Sequence, residues 1–127
     1  MQTPQILVVD DEPLLRNLLE RSLKRAGYRV VTASNGADAL ALFAATPIDL
    51  ALVDVMMPGI DGYRVCEELR QWSSVPVILL TSLDNADEIV HGFSVGADDY
   101  ITKPFQFRDL EVRIQALLRR ATPQSPQ

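Results

Sequence analysis

The sequence has 127 residues, 47% hydrophobic and 23% charged, the proportions of one globular domain large enough to bury a core. Its net charge of −5 argues against sequence-independent binding to nucleic acid. No apolar run approaches the roughly 20 residues of a membrane span. No basic-then-apolar leader opens the chain, and the single cysteine, Cys66, can form no internal disulfide, so the expectation is a soluble cytoplasmic protein with no membrane contact.

In chain order, strand-like and helix-like stretches alternate, which predicts an α/β domain built on a parallel sheet. Strand one spans Gln5–Val9. Helix one starts near Pro13, where proline suits a first turn. Leu15, Leu19 and Leu23 recur at four-residue spacing with Leu14 and Leu18 beside them, which predicts a single apolar stripe. Gly27 takes the left-handed position after that helix. Strand two covers Arg29–Thr32, and Asn35-Gly36 turns into helix two, with Leu40, Leu42 and Phe43, stopped before Pro47. Strand three is the apolar run that begins at Ile48 and ends on Asp54. Helix three spans Tyr63–Trp72, with Val65, Cys66 and Leu69 inward and Trp72 over its end. Strand four begins near Pro76. Helix four, Ala86–Val95, contains Gly92 and Ser94. An interior Gly costs roughly 1 kcal/mol relative to Ala, so this helix is expected to be soft. Its lone His91 is assigned no role, and Cys66 reads as buried filler. Strand five covers Asp99–Thr102. Helix five presents Leu110, Ile114, Leu117 and Leu118 inward, with Arg119-Arg120 at its C-terminal dipole end. Residues 1–121 form the domain, and 122–127, polar and proline-containing, read as the start of a linker or a free tail.

Four apolar runs end on isolated polar residues: Asp10-Asp11, Asp54, Thr81, and Lys103 before Pro104. In the doubly wound order 2-1-3-4-5, strands one and three are neighbours at the switch point, where ligands bind beyond the carboxyl ends of strands. Asp10, Asp11 and Asp54 would then repel, unless their pKa values rise or a cation sits among them. All-oxygen ligands without His or Cys select Mg²⁺ or Mn²⁺ over zinc. Adding the Lys103 ammonium and the Thr81 hydroxyl completes the needs of phosphoryl transfer to a carboxylate. Asp54 has no acidic neighbour in sequence and suits the nucleophile; the Asp10-Asp11 pair suits the metal. Singly, each residue has a plainer role. Asp11 serves equally well as the cap of helix one, Asp54 as a strand-end turn residue, and Lys103 as a solvated charge. A metal-dependent phosphohydrolase would need a second carboxylate just after Asp54 and a cap over the site. A flavodoxin-type nucleotide module would need a hydroxyl- or glycine-rich loop where Asp10-Asp11-Glu12 stands. A pure binding scaffold would not need the complete polar set.

With these residues in place, the chain resembles the receiver domain of two-component response regulators. The matching stretches are Val8-Val9-Asp10-Asp11-Glu12-Pro13, Asp54 through Gly62, Thr81, and Gly96 through Phe105. The resemblance implies a flavodoxin-like (CheY-like) fold with five strands and five helices. It implies that Asp54 accepts a phosphoryl group from a histidine kinase, with Mg²⁺ on Asp10, Asp11, Asp54 and the backbone carbonyl of Met56. Lys103 would pair with a phosphoryl oxygen and precede a cis bond to Pro104. Thr81 and Tyr100 would form the switch, the hydroxyl turning to the phosphoryl group as the ring swings inward. Such a domain performs only its own phosphotransfer and dephosphorylation and is not otherwise an enzyme. The C-terminal third is similar to the OmpR/PhoB-like branch, which dimerises on phosphorylation through the face of helix four, strand five and helix five. Asp98 or Asp99 with Arg113, and Asp109, are the candidate pair members. Ile89 stands where that branch has a basic residue facing Asp109. Members of the branch reach DNA through a separate output domain and regulate transcription.

Overall fold

The computed structural model describes residues 3–121, so the expected linker, 122–127, lies outside the described residues. The elements are β1 (Gln5–Val9), α1 (Pro13–Arg25), β2 (Arg29–Ala33), α2 (Gly36–Ala45), β3 (Leu50–Asp54), α3 (Gly62–Leu69), β4 (Val77–Thr81), α4 (Ala86–Ser94), β5 (Asp99–Thr102) and α5 (Phe107–Ala121). The five strands are parallel in the order β2-β1-β3-β4-β5, the predicted order. β1, β3 and β4 are buried along their whole lengths, as parallel strands covered on both faces must be.

Alternation along each strand divides the core in two. Ile6, Val8, Leu50, Leu52, Ile78 and Leu80 face α1 and α5, meeting Leu19, Leu23, Leu110, Ile114 and Leu117. Leu7, Val9, Ala51, Val53 and Leu79 face the other way, against Ala39 and Phe43 of α2 and Val65, Cys66 and Leu69 of α3. Burial pushes the Cys66 thiol up to about 11, which leaves it an inert apolar group.

Two expectations need correction. The α1 stripe is narrower than predicted: Leu19 and Leu23 are buried, whereas Leu14 is 85% and Leu18 57% exposed. A four-residue repeat marks one line along a helix, and Leu14 and Leu18 are off that line by a full residue step. α3 ends at Leu69 rather than Trp72, the next residues forming a turn. Trp72 stands edge-on to Phe43 of α2, ring centroids 6.3 Å apart.

Strand register fixes where the polar endings fall. Val9 pairs with Val53, so Asp10 follows β1 beside Asp54 at the end of β3. Thr81 pairs with Thr102, and the Lys103 N–H donates to the Thr81 carbonyl at 2.8 Å. Gly62 lets α3 start against the end of β3, since a Cβ there would collide with the Asp54 carbonyl. Its N–H donates to the Val55 carbonyl at 2.9 Å.

Candidate functional site: a carboxylate hollow at the sheet switch point

Carboxylate oxygens of Asp10, Asp11 and Asp54 lie within 4.8 Å of one another. Asp10 and Asp54 are buried beneath the strand ends, and Thr81 is buried beside them. Together with Glu12, Met56, Ser82 and Lys103, the residues Asp11, Asp54 and Thr81 line a pocket of about 450 Å³. Lys103 Nζ sits 3.3 Å from Asp54 Oδ1, 3.5 Å from Asp10 Oδ2 and 3.9 Å from Glu12 Oε1. The peptide bond between Lys103 and Pro104 is cis. One ammonium is thus shared among several acids.

Local structure aims each group. Asp10 Oδ1 accepts the Glu12 N–H at 2.9 Å, and Arg16 Nη1 donates to the Asp10 carbonyl at 2.8 Å. Asp11 does not cap α1: the cap position belongs to Glu12, whose side chain makes no capping bond. Asp10 Oδ2 is buried without a hydrogen-bond partner, with the Lys103 ammonium 3.5 Å away. An orphaned buried carboxylate oxygen is costly unless a cation completes it. This atom, and a donor set made only of oxygens, fit a hard divalent cation. Burial, and then the Asp10 charge, push the Asp54 carboxyl up to about 6, against the pull of Lys103 and of a backbone hydrogen bond from Met56. Thr81 Oγ1 accepts the Leu83 N–H at 3.1 Å. Tyr100 lies inward, its hydroxyl donating to the Leu83 carbonyl at 2.6 Å. Thr81 and Tyr100 therefore meet on the same residue of the β4–α4 loop.

The charged residues near α5 divide. Arg113 donates to Asp99 at 2.9 Å and to Asp109 at 3.0 Å. Asp98 is turned elsewhere, accepting Arg70 Nη2 at 2.7 Å and the Val77 N–H at 2.9 Å. Ile89 packs partly buried against the core, while Val90 and Phe93 beyond it are exposed. Sequence reasoning missed Arg70, which also holds the Gly96 and Val75 carbonyls. It also missed Tyr63, whose hydroxyl donates to the Glu88 carboxylate at 2.7 Å and whose ring stands edge-on to His91, centroids 4.4 Å apart. No periodicity marks such contacts; Arg70 with Gly96 and Asp98, and Tyr63 with Glu88, join residues 25 or more positions apart.

Fold and site together define a flavodoxin-like signalling domain with an acidic, cation-ready hollow beside a buried aspartate. The chain belongs to the response regulator receiver domain family, whose family model matches residues 6–115. It is 51% identical over 120 residues to a protein of Porphyra purpurea described as probable transcriptional regulator ycf27, covering 94% of this chain and 49% of that protein. This chain therefore spans about half the length of that curated relative. Among solved structures it resembles the Francisella response regulator 1452 receiver domain (TM-score 0.91, 33% identity, 94% of this chain and 100% of that one). It also resembles the Thermotoga maritima response regulator TrrA in complex with Mg²⁺ and BeF (TM-score 0.82, 38% identity, 91% of this chain and 99% of that one). Among the described residues, no helix is long and apolar enough to cross a membrane.

Proposed function

We propose that this receiver domain is switched by phosphorylation of Asp54 by a histidine kinase. One observation carries the reading. A buried aspartate touches the only ammonium in its pocket and shares its carboxylate cluster with Asp10, whose second oxygen lacks a hydrogen-bond partner. In the reaction, an ionised Asp54 oxygen attacks phosphorus, the P–N bond to the kinase histidine breaks, and the imidazole leaves. Asp54 remains ionised at neutral pH even with its carboxyl pushed up to about 6. Lys103 faces the transferring oxygens as a point charge. Asp10, Asp11, Asp54 and the Met56 carbonyl would hold Mg²⁺, or Mn²⁺ by the same oxygen chemistry, and the ion would neutralise the developing phosphoryl charge. The Thermotoga relative solved in complex with Mg²⁺ and BeF supports Mg²⁺ as the ion.

The domain's chemistry ends with this transfer and with hydrolysis of its own acyl phosphate; it turns over no other substrate. The phosphoryl group gives Thr81 an acceptor to turn toward, and through Leu83 that movement reaches Tyr100 and α4. The face of α4, β5 and α5 then pairs with a second copy, as in the OmpR/PhoB-like branch, with Asp99, Asp109 and Arg113 exchanging intramolecular for intermolecular partners. The transcriptional regulators among the relatives support an output at DNA, made by a separate domain rather than by this acidic one. A cytoplasmic location follows from the kinase partner. The kinase meets the exposed Leu14 and Leu18 of α1, and Leu18 lines an apolar groove with Leu15, Phe105 and Phe107. Lys103 lines both this groove and the carboxylate pocket, so a protein seated on one reaches the other.

The test is incubation with Mg²⁺ and a small acyl-phosphate donor. Intact-mass measurement should show one added phosphoryl group, lost with EDTA and lost in Asp54→Asn. Unmodified wild-type protein under conditions that label a control receiver would overturn the proposal.

A further inference from the structure

α4 is exposed along most of its length, and its buried residue is a glycine, Gly92. A Cβ at Gly92 would lie 2.9 Å from Tyr100 Cδ2 and 3.1 Å from both Tyr100 Cε2 and Leu79 Cδ1. Real Cβ atoms essentially never approach as closely as the first of these distances. Leu79 is a fully buried residue of the central strand β4 and has little room to retreat. The inward Tyr100 ring therefore occupies the space that any side chain at 92 would take. We propose that Gly92 is a positioning residue of the switch, its missing side chain forming the seat of the inward Tyr100 ring. The inference rests on the reading of Thr81 and Tyr100 as the switch pair.

Two movements could relieve a side chain at 92: α4 could lift from the sheet, or the ring could leave. Lifting is opposed at the first turns of α4. Tyr63 of α3 holds the Glu88 carboxylate at 2.7 Å and packs edge-on against His91, while the Asn85 side chain caps the Glu88 N–H at 2.9 Å. The ring is held at its hydroxyl, which donates to the Leu83 carbonyl and also meets the Tyr63 hydroxyl. Outside it lies an open groove lined by Ile89, Phe93, Phe105 and Arg113. Rotation of the ring into that groove is the less obstructed path. A side chain at 92 thus empties the inward state and fills the groove that the outer face of α4, β5 and α5 presents. The Gly costs helix propensity at an interior position, and the seat for an aromatic ring is what occupies the space in return. Helix propensity and the seat predict opposite signs for Gly92→Ala, and that separates them.

The experiment uses the full chain labelled with 3-fluorotyrosine. The sequence has three tyrosines, Tyr28, Tyr63 and Tyr100, and Tyr100→Phe assigns the third fluorine resonance. In wild type the Tyr100 fluorine should show little solvent isotope shift between H₂O and D₂O. In Gly92→Ala it should show the full shift of an exposed ring, with Tyr28 unchanged. Melting temperature supplies the second arm. Gly92→Ala should lower it in the wild-type background and lower it markedly less, or raise it, in a Tyr100→Ala background, where the ring is gone and only Leu79 Cδ1 still opposes the gain in helix propensity. A Tyr100 fluorine that stays protected in Gly92→Ala, or a stability loss of equal size in both backgrounds, overturns the proposal. Should Gly92→Ala alone fail to fold, a folded Gly92→Ala/Tyr100→Ala double variant sustains the seat and an unfolded one refutes it. Phosphoryl labelling of Asp54 is scored separately: its failure in wild type removes the signalling reading and leaves the fluorine result to decide the seat.

Discussion

The carboxylate hollow and the face of α4, β5 and α5 contain the same residue types and treat them in opposite ways. In the hollow, Asp10 Oδ2 has no hydrogen-bond partner and Lys103 is spread over three acids at 3.3 to 3.9 Å. On the face, Arg113 is held by two carboxylates at 2.9 and 3.0 Å. The difference lies in solvation. In the hollow, Asp10 and Asp54 are buried at the strand ends and so are poorly hydrated, although Glu12 at the rim of the pocket is exposed. The Arg113 cluster is about one third exposed, so its pairs cost little and can be broken by a partner. Under-satisfied charge marks where chemistry is to occur; satisfied surface charge marks where surfaces can trade partners.

The largest effect that tests this contrast belongs to Lys103. Lys103→Ala should slow phosphoryl transfer to Asp54 by about 100-fold, the usual loss when one group facing developing charge is removed. Stopped-flow measurement with a small donor reads it, and a loss under threefold would make Lys103 no more than a surface charge. Next comes the charge of Asp54 itself. Its carboxyl is raised above its ordinary value, so the neutral form favours the fold. That stability is fully present below about pH 4 and is lost as pH rises through about 6. Without divalent cations, Asp54→Asn should therefore be more stable than wild type by roughly 1–3 kcal/mol at pH 8. The gain should vanish by pH 4, as followed by urea denaturation; an Asn variant less stable than wild type at pH 8 would reverse the sign.

The groove beside the hollow extends the comparison to apolar groups. Leu18→Asp should reduce transfer from a phosphohistidine protein about tenfold, roughly the 1.4 kcal/mol of one lost apolar contact. Transfer from a small acyl phosphate should be unchanged, and an equal effect on both donors would assign Leu18 to the fold instead. The smallest effect is on the face. Arg113→Ala should change stability by less than about 1 kcal/mol, since its pairs are partly exposed. It should nonetheless weaken self-association of the phosphorylated protein in sedimentation. A stability loss of several kcal/mol would mean that the Arg113 pairs belong to the fold rather than to a tradable surface.

Much of this molecule was legible in residue order. β1 and β5 have the bounds expected from the sequence, Gln5–Val9 and Asp99–Thr102, and in β1 an apolar run closed by Asp10 marks a strand covered on both faces. Asp10, Asp11, Asp54, Thr81 and Lys103 could be chosen because each follows such a run. Leu14 and Leu18 could not be told from core residues, because composition is blind to which side of a helix meets the sheet. Asp98 and Asp99 are adjacent in sequence, but Asp98 precedes β5 and Asp99 opens it, so only the folded chain sent one to Arg70 and the other to Arg113.

Sequence alone determined the alternation of elements, the strand order and the set of polar strand endings, since these follow from local propensity and from the handedness of parallel crossovers. Tertiary structure alone decided that Asp10 keeps an unpartnered oxygen, that Asp54 is pushed up by burial, and that Gly92 lies under Tyr100. Each of these depends on distances between atoms far apart in the chain. Desolvation and steric exclusion act over a few ångströms of space, whatever the separation in sequence.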